Sequence, residues 1–172
     1  EKKCKIVTID DSSGGAAKSV LRASHLFNDD KPIAIINSDQ YMEWNSNEFF
    51  YAMAADECDG GIVTFISTHP KWSFAKVEDG YVTEVAEKKP ISNNATVGIY
   101  YWSKGSDYVK FAEQMIKKDN RVNGEFYVCP VYNEAVEDKK KIKTFHVEKM
   151  WGLGTPEDLK VFVNECNYSH SS

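Results

Sequence analysis

Residues 32–44, PIAIINSDQYMEW, constrain the fold more than any other stretch of this chain. Ile33, Ala34, Ile35 and Ile36 form an unbroken apolar run behind Pro32, too short for a buried helix and suited to a strand buried on both faces of a parallel sheet. The run stops at Asn37. Asn37, Ser38, Asp39 and Gln40 then fall at the strand's carboxyl end, the edge of an open α/β sheet at which ligands bind. A carboxylate held there beside amide and hydroxyl groups suits Mg²⁺, which takes one or two carboxylates and completes its shell with substrate phosphates. Asn-Ser-Asp is also ordinary turn chemistry, with the side chains capping nearby backbone groups. These residues by themselves leave both readings open.

A chain of 172 residues fits one domain and buries roughly 70% of its unfolded surface, so it needs no covalent staple. Cys4, Cys58, Cys129 and Cys166 are scattered without a CxxC pair, which argues against zinc and disulfides and for the reduced thiols of a cytosolic protein. No apolar run approaches the ~20 residues that span a bilayer, and the opening EKKCKIVTI lacks the apolar core of a signal peptide, so no membrane partner is expected. A net charge of −5 without clustered arginine argues against nucleic acid. Lys139, Lys140, Lys141 and Lys143, beside Glu137 and Asp138, read as a solvated loop. Trp44, Trp72, Trp102 and Trp151 leave room for an exposed aromatic patch, and with it a homo-oligomer.

In chain order, Lys5–Ile9 reads as a strand already under way, so a fragment of a longer protein is expected. Asp10–Gly15 is a turn cluster before a helix over Ala16–Phe27. The paired glycines sit where a helix's free N–H groups favour an anion or a polar ligand edge, although a plain tight turn uses the same residues. Asn45-Ser-Asn-Glu48 reads as a capping box ahead of a helix that buries Phe49, Phe50 and Met53, and Ile62–Ser67 as a strand. Phe74–Val77 and Tyr81–Val85, joined through Asp79-Gly80, make an antiparallel hairpin. Ala95–Trp102 is a strand interrupted by Gly98, where a ligand or another backbone comes close.

Asp107–Lys117 is an amphipathic helix, Pro130 opens another, Ile142–Val147 is the last expected strand, and Thr155 caps a helix that starts Pro156-Glu157-Asp158 and runs to about Cys166. The expected domain is thus 1–166, with a polar tail over 167–172. His25, His69, His146 and His170 are isolated, and the chain has no GxSxG, Walker or GxGxxG sequence.

The order of these stretches resembles the sugar-phosphate nucleotidyltransferases, the family of glucose-1-phosphate thymidylyltransferase and its relatives in capsule and surface-polysaccharide synthesis. The similarity is carried by Gly15-Ala-Ala17, Asn37-Ser-Asp39, Val85-Ala-Glu-Lys-Lys-Pro90, Ala95-Thr-Val-Gly-Ile-Tyr-Tyr101, Asn123-Gly-Glu-Phe126 and Gly154-Thr-Pro-Glu-Asp158. It implies a mixed, mostly parallel α/β sheet with flanking helices, a Rossmann-like (GT-A-like) fold shortened at its amino end. It also implies a cytoplasmic enzyme that joins a nucleoside triphosphate to a sugar 1-phosphate with Mg²⁺, releasing pyrophosphate. On that resemblance Asp39 would hold the metal, and Asp39 and Lys88 would be catalytic. Gly15, Ala16 and Ser38 would meet the nucleotide, while Ser73, Glu87, Lys88, Thr96 and Gly98 would bind the sugar phosphate. On local grounds Glu87, Lys88 and Lys89 before Pro90 read first as a solvated strand end.

The chain also departs from the family pattern. The glycine-rich arginine loop and proline-lysine pair that grip the triphosphate have no counterpart, so little activity is expected of the chain alone. Gly152 stands where the family has a second acidic or amide metal ligand, and Ser73 where a glycine is usual. The competing readings are a nucleotide-sugar glycosyltransferase, with Asn37-Ser-Asp39 as its metal motif, and a non-catalytic domain that binds sugar phosphate or nucleotide.

Overall fold

The computed structural model describes residues 4–9 and 14–169, with side chains through Glu165. The frame is set by β6 (Asn94–Trp102), whose β-branched and aromatic residues are buried from Ala95 onward. Side chains alternate across it. Tyr100 and Trp102 face one apolar layer, with Tyr108, Phe111, Met115 and Tyr132, while Val97, Ile99 and Tyr101 face another, with Phe49, Met53 and Val63. In the first layer the rings of Trp102 and Tyr132 stack at 4.3 Å. Burying side chains of this size contributes about 1.5–3 kcal/mol each, so both faces of β6 are anchored.

Against β6 lie β3 (Gly60–Ile66) along one side, with β7 (Ile142–His146) beyond it. On the other side β6 is shared: β1 (Ile33–Ile36) pairs with residues 99–102, and β4 (Ser73–Glu78) meets it at Ala95, followed by β5 (Tyr81–Glu87). Helices α1 (Ala16–Arg22), α3 (Gly105–Lys117) and α4 (Val131–Glu137) supply the first apolar layer, and α2 (Ser46–Ala55) the second. The sheet is therefore mixed with flanking helices, and the single chain direction of β1, β3, β4 and β7 agrees with the expected parallel set. Because β6 runs antiparallel between them, only β3 and β7 are parallel neighbours among the described strands.

This placement corrects the sequence expectation for β1. It pairs with β6 in the antiparallel sense, and its burial alternates, with Ile33 and Ile35 packed on the core and Ile36 58% exposed. A strand with one described neighbour and one covered face cannot bury a continuous apolar run. Lys5–Ile9 forms no strand either, since these exposed residues find no ladder partner among the described residues. Asp10, Asp11, Ser12 and Ser13 of the expected turn lie outside the described residues.

The hairpin, the capped helices and most boundaries follow expectation. Asp79 and Gly80 take φ of 51° and 81°, the paired positive values that a two-residue hairpin needs. Asn45 accepts from the Asn47 N–H, and its own amide donates to Glu48 Oε1 at 2.9 Å, a variant of the expected capping box. Helix α5 (Pro156–Ser169) continues into the expected polar tail. Two short strands were not anticipated: β2 (Gln40–Met42) pairs with β8 (Met150–Gly152), tying the segment after β1 to the start of α5. The tryptophans do not form an exposed patch. Trp102 is buried, Trp44 and Trp72 pack on the second layer, and Trp151 lies against Tyr41 and Phe162.

Candidate active site

A cleft opens where β6 changes partners. The last main-chain bond on the β1 side runs from Asn37 N–H to Gly98 O, after which the chain turns away to β2, while β4 takes over only at Ala95. Gly98 has φ 78°, and a Cβ there would sit 2.5 Å from Asn37 Nδ2, so position 98 needs glycine for both conformation and space. The opening, about 250 Å³, is lined by residues from seven separated stretches, including Ala16, Asp39, Ser73, Glu87, Thr96 and Gly98. Six positions singled out from the sequence thus share one cavity.

At one end stands Asp39. Its carbonyl accepts from Leu153 N–H at 2.7 Å, and its carboxylate has no protein partner among the described residues. A Cβ on Gly154 would lie 2.8 Å from Asp39 Oδ2, so the glycine of Gly154-Thr155 makes room for that carboxylate. Asp158, on the first turn of α5, lines the same end. Its Oδ1 takes Lys71 Nζ at 2.8 Å and its Oδ2 the Thr155 hydroxyl at 2.9 Å, contacts that hold its carboxyl below the usual carboxylate range. A Cβ on Gly152 would be 3.8 Å from Asp158 Oδ2, so the place left by Gly152 is bordered by a carboxylate from elsewhere in the chain. These hard oxygen donors fit a hard divalent cation that also takes phosphate oxygens. No set of three or more His, Cys, Asp or Glu is assembled among the described residues, so such a cation would draw most of its ligands from phosphate and water.

The other end is a polar floor. Ser73 and Glu87 are paired across β4 and β5, and the Ser73 hydroxyl donates to Glu87 Oε2. Burial pushes the Glu87 carboxyl above its ordinary value, against the opposing pull of the Ser73 hydroxyl and the Lys88 charge. Beside them Thr96 Oγ1 and Tyr100 OH are 3.1 Å apart, and burial raises both the Tyr100 phenol and the Cys129 thiol.

Lys88 does not line the cleft directly. Its Nζ donates to Tyr127 OH at 2.8 Å and lies 4.8 Å from that ring's centre, and Tyr127 forms the wall. The Tyr127 bond is the main reason the Lys88 ammonium holds its proton more firmly than usual. Its backbone has φ 55°, a left-handed conformation costly for a non-glycine residue, held by a bond from its N–H to Trp72 O. Gly15 and Ser38 are likewise not on the cleft wall. A Cβ on Gly15 would strike Phe126 O at 2.5 Å, and Ala17 N–H bonds to that same oxygen, so Gly15 lets the start of α1 pack on Phe126 and sets Ala16 at the cleft.

Lys71, Trp72, Tyr127, Cys129 and Asp158 also line the cleft and were not assigned to a site from the sequence. Lys71 Nζ lies 4.5 Å from the centre of the Trp72 ring while bonded to Asp158. The Asp158 position inside Gly-Thr-Pro-Glu-Asp was a usable signal; Lys71 and Cys129 carried none.

The sequence profile described as nucleotidyl transferase matches residues 3–165. Among solved structures, the chain is similar to a nucleoside-diphosphate-sugar pyrophosphorylase from Vibrio cholerae, with TM-score 0.76 and 22% identity over 91% of this chain and 67% of that one. It is also similar to a UDP-glucose pyrophosphorylase complexed with UDP-glucose, with TM-score 0.74 and 16% identity over 92% of this chain and 64% of that one. A provisionally assigned glucose-1-phosphate thymidylyltransferase from Bacillus anthracis, in complex with sucrose, gives TM-score 0.71 and 15% identity over 90% and 61% of the two chains. At these identities the likeness is one of fold, and the chain spans roughly two thirds of each neighbour's length. A comparison with curated proteins returned no match. No helix among the described residues is long and apolar enough to cross a membrane. The match over residues 3–165 places this chain in the nucleotidyl transferase family, with a fold shared by sugar nucleotidyltransferases.

Proposed function

We propose that the protein to which this chain belongs transfers a nucleotidyl group from a nucleoside triphosphate to a sugar 1-phosphate, making a nucleotide sugar and pyrophosphate. The observation that carries this is the shared cleft at Gly98, with Asp39 at one end and the Ser73–Glu87 pair at the other. A phosphate oxygen of the acceptor attacks the α-phosphorus of the triphosphate; that P–O bond forms as the bond to the departing pyrophosphate breaks. Such chemistry depends on positioning and on neutralising phosphate charge.

Mg²⁺ held by Asp39, with Asp158 alongside, would supply charge neutralisation across the phosphates. Glu87 accepts acceptor hydroxyls, and Thr96 and Gly98 form the surface against which the acceptor rests. Lys88, released from Tyr127, reaches the acceptor phosphate, and Ala16 with Gly15 and Ser38 meets the nucleotide. The product is an activated glycosyl donor, which fits a place in supplying polysaccharide synthesis.

The test is pyrophosphate release by the complete protein with Mg²⁺, across the common nucleoside triphosphates and a panel of sugar 1-phosphates. Release that requires both substrates is expected. Absence of release for every pair would overturn the proposal.

A further inference from the structure

An anionic substrate in this cleft meets an acidic wall. Asp39, Glu87 and Asp158 all line it, and Lys71 carries the only positive side chain among the described lining residues, since the Lys88 ammonium is bonded to Tyr127 and does not reach the wall. A polyphosphate entering at the Asp39 end is repelled by Asp39 and Asp158 unless positive charge is supplied beside them. Lys71 is placed to supply it. Its Nζ is 2.8 Å from Asp158 Oδ1 and 4.5 Å from the centre of the Trp72 ring. The pair is easily exchanged, because the two side chains are 41% and 27% exposed and such a bond contributes little to the fold. Asp158 does not depend on it: its Oδ2 accepts from the Thr155 hydroxyl at 2.9 Å, and its N–H donates to the same hydroxyl oxygen at 3.1 Å. The Lys71 main chain is held by a bond from its N–H to His69 Nδ1 at 3.2 Å, and the Trp72 ring stands edge-on to Phe65 at 5.5 Å. Only the flexible stem of the lysine has to move.

We infer that Lys71 is the polyphosphate anchor of the cleft: held on Asp158 in this structure, it swings from that carboxylate to the phosphates of the nucleotide and of the departing pyrophosphate. The inference rests on the nucleotidyl-transfer reading and deepens it by naming the chain's own positive partner for the leaving group. A phosphate carries more charge than the Asp158 carboxylate and offers more acceptor oxygens, so the ammonium gains by the exchange. The same movement frees Asp158 Oδ1 for the cation that accompanies the phosphates. Lys71 and that cation thus use Asp158 in turn.

Calorimetry on the complete protein with inorganic pyrophosphate and Mg²⁺ provides the test, using Lys71→Met, which keeps the apolar stem and removes the charge. This variant should bind pyrophosphate roughly tenfold or more weakly, the scale of one charge-assisted bond, and with a shallower salt dependence. Lys71→Arg, which keeps the charge, should retain most of the wild-type affinity. Mn²⁺ alone, read by electron paramagnetic resonance, should bind Lys71→Met no more weakly than wild type, because a competitor for Asp158 has gone. Equal pyrophosphate affinities for wild type and Lys71→Met would overturn the inference and leave the functional reading standing. A weaker affinity with an unaltered salt dependence, or a parallel fall in Mn²⁺ binding, would confine Lys71 to steadying Asp158 and overturn the inference as well. Failure of the wild type to bind pyrophosphate would overturn the functional reading, and this inference with it.

Discussion

Asn37 and Gly98 meet where β1 leaves the sheet: Asn37 N–H bonds to Gly98 O at 2.9 Å, and the Asn37 side chain covers the space a Cβ on Gly98 would need. The strand break, the peeling away of the Asn37–Asp39 segment and the cleft are one event. Gly98→Ala would place a methyl group 2.5 Å from Asn37 Nδ2 and impose a φ of 78° on a residue with a side chain. The expected cost is about 1–3 kcal/mol in chemical denaturation, together with weakened acceptor binding as Asn37 is displaced into the cleft. Wild-type stability in this variant would mean that Asn37 relaxes freely and that the two residues are not coupled.

Asp39 offers a contrast, because no described protein group is bonded to its carboxylate. Asp39→Asn should change stability by less than ~0.5 kcal/mol, since only an exposed, unpartnered charge is altered. Turnover should fall roughly a hundredfold or more, the scale of losing one group that stabilises transition-state charge. Binding of Mn²⁺ in the presence of nucleotide, read by electron paramagnetic resonance, should weaken in parallel. Unaltered Mn²⁺ binding would leave Asp39 a turn residue.

Lys88 is held on Tyr127 rather than in the cleft, so its part in binding depends on exchanging one partner for another. Lys88→Ala should leave stability within ~0.5 kcal/mol, because an exposed bond is lost. Affinity for the acceptor phosphate should become less sensitive to salt, since a mobile positive partner of the phosphate is gone. Parallel salt dependences for wild type and variant would confine Lys88 to the rim.

Much of this was legible in the residues themselves, where local chemistry decides the local structure. The Asp79-Gly80 turn, the Thr155 cap and the amphipathic α3 rest on φ preferences, side-chain caps and apolar spacing that act within a few residues. The apolar run of Ile33–Ile36 was legible as a strand but not as to its neighbours, because partner and direction depend on β6, about 65 residues later in the chain. The β2–β8 pair is too short for a periodic signal and exists only because both segments reach the same side of the cleft. The lysines of the 139–143 run read as solvated charge, yet Lys140 is paired with Asp107 and Asp59, and Lys143 with Asp56, from distant elements. In the same way Lys71, Cys129 and Asp158 enter the cleft through tertiary placement. The resemblance pointed to Glu87 and Ser73, but not to their bond across the hairpin, which follows from the β4–β5 register.

Glu87 should show opposed effects on stability and binding, with a sign that pH can test. Its folded carboxyl titrates above the ordinary value of 4.5 because burial penalises the charge, and the Ser73 hydroxyl and Lys88 only partly compensate. For a group whose folded value is raised, the stabilisation is fully present below the unfolded value and is lost as pH rises through the folded one. In its ionised form Glu87 is thus a net cost to the fold. Glu87→Gln keeps the shape and hydrogen-bonding capacity while removing the charge, so the variant should be at least as stable as wild type at pH 7. That advantage should shrink as the pH falls through the folded value and disappear below about 4.5, where Glu87 is itself neutral. Acceptor binding should move the other way, weakening by roughly 1.5–3 kcal/mol, the scale of a charge-assisted hydrogen bond that glutamine cannot reproduce. Thermal denaturation from pH 4 to 8, paired with calorimetry, measures both. A variant less stable than wild type by a constant amount at every pH would show that the Glu87 charge is satisfied in the fold and is not held ready for a ligand.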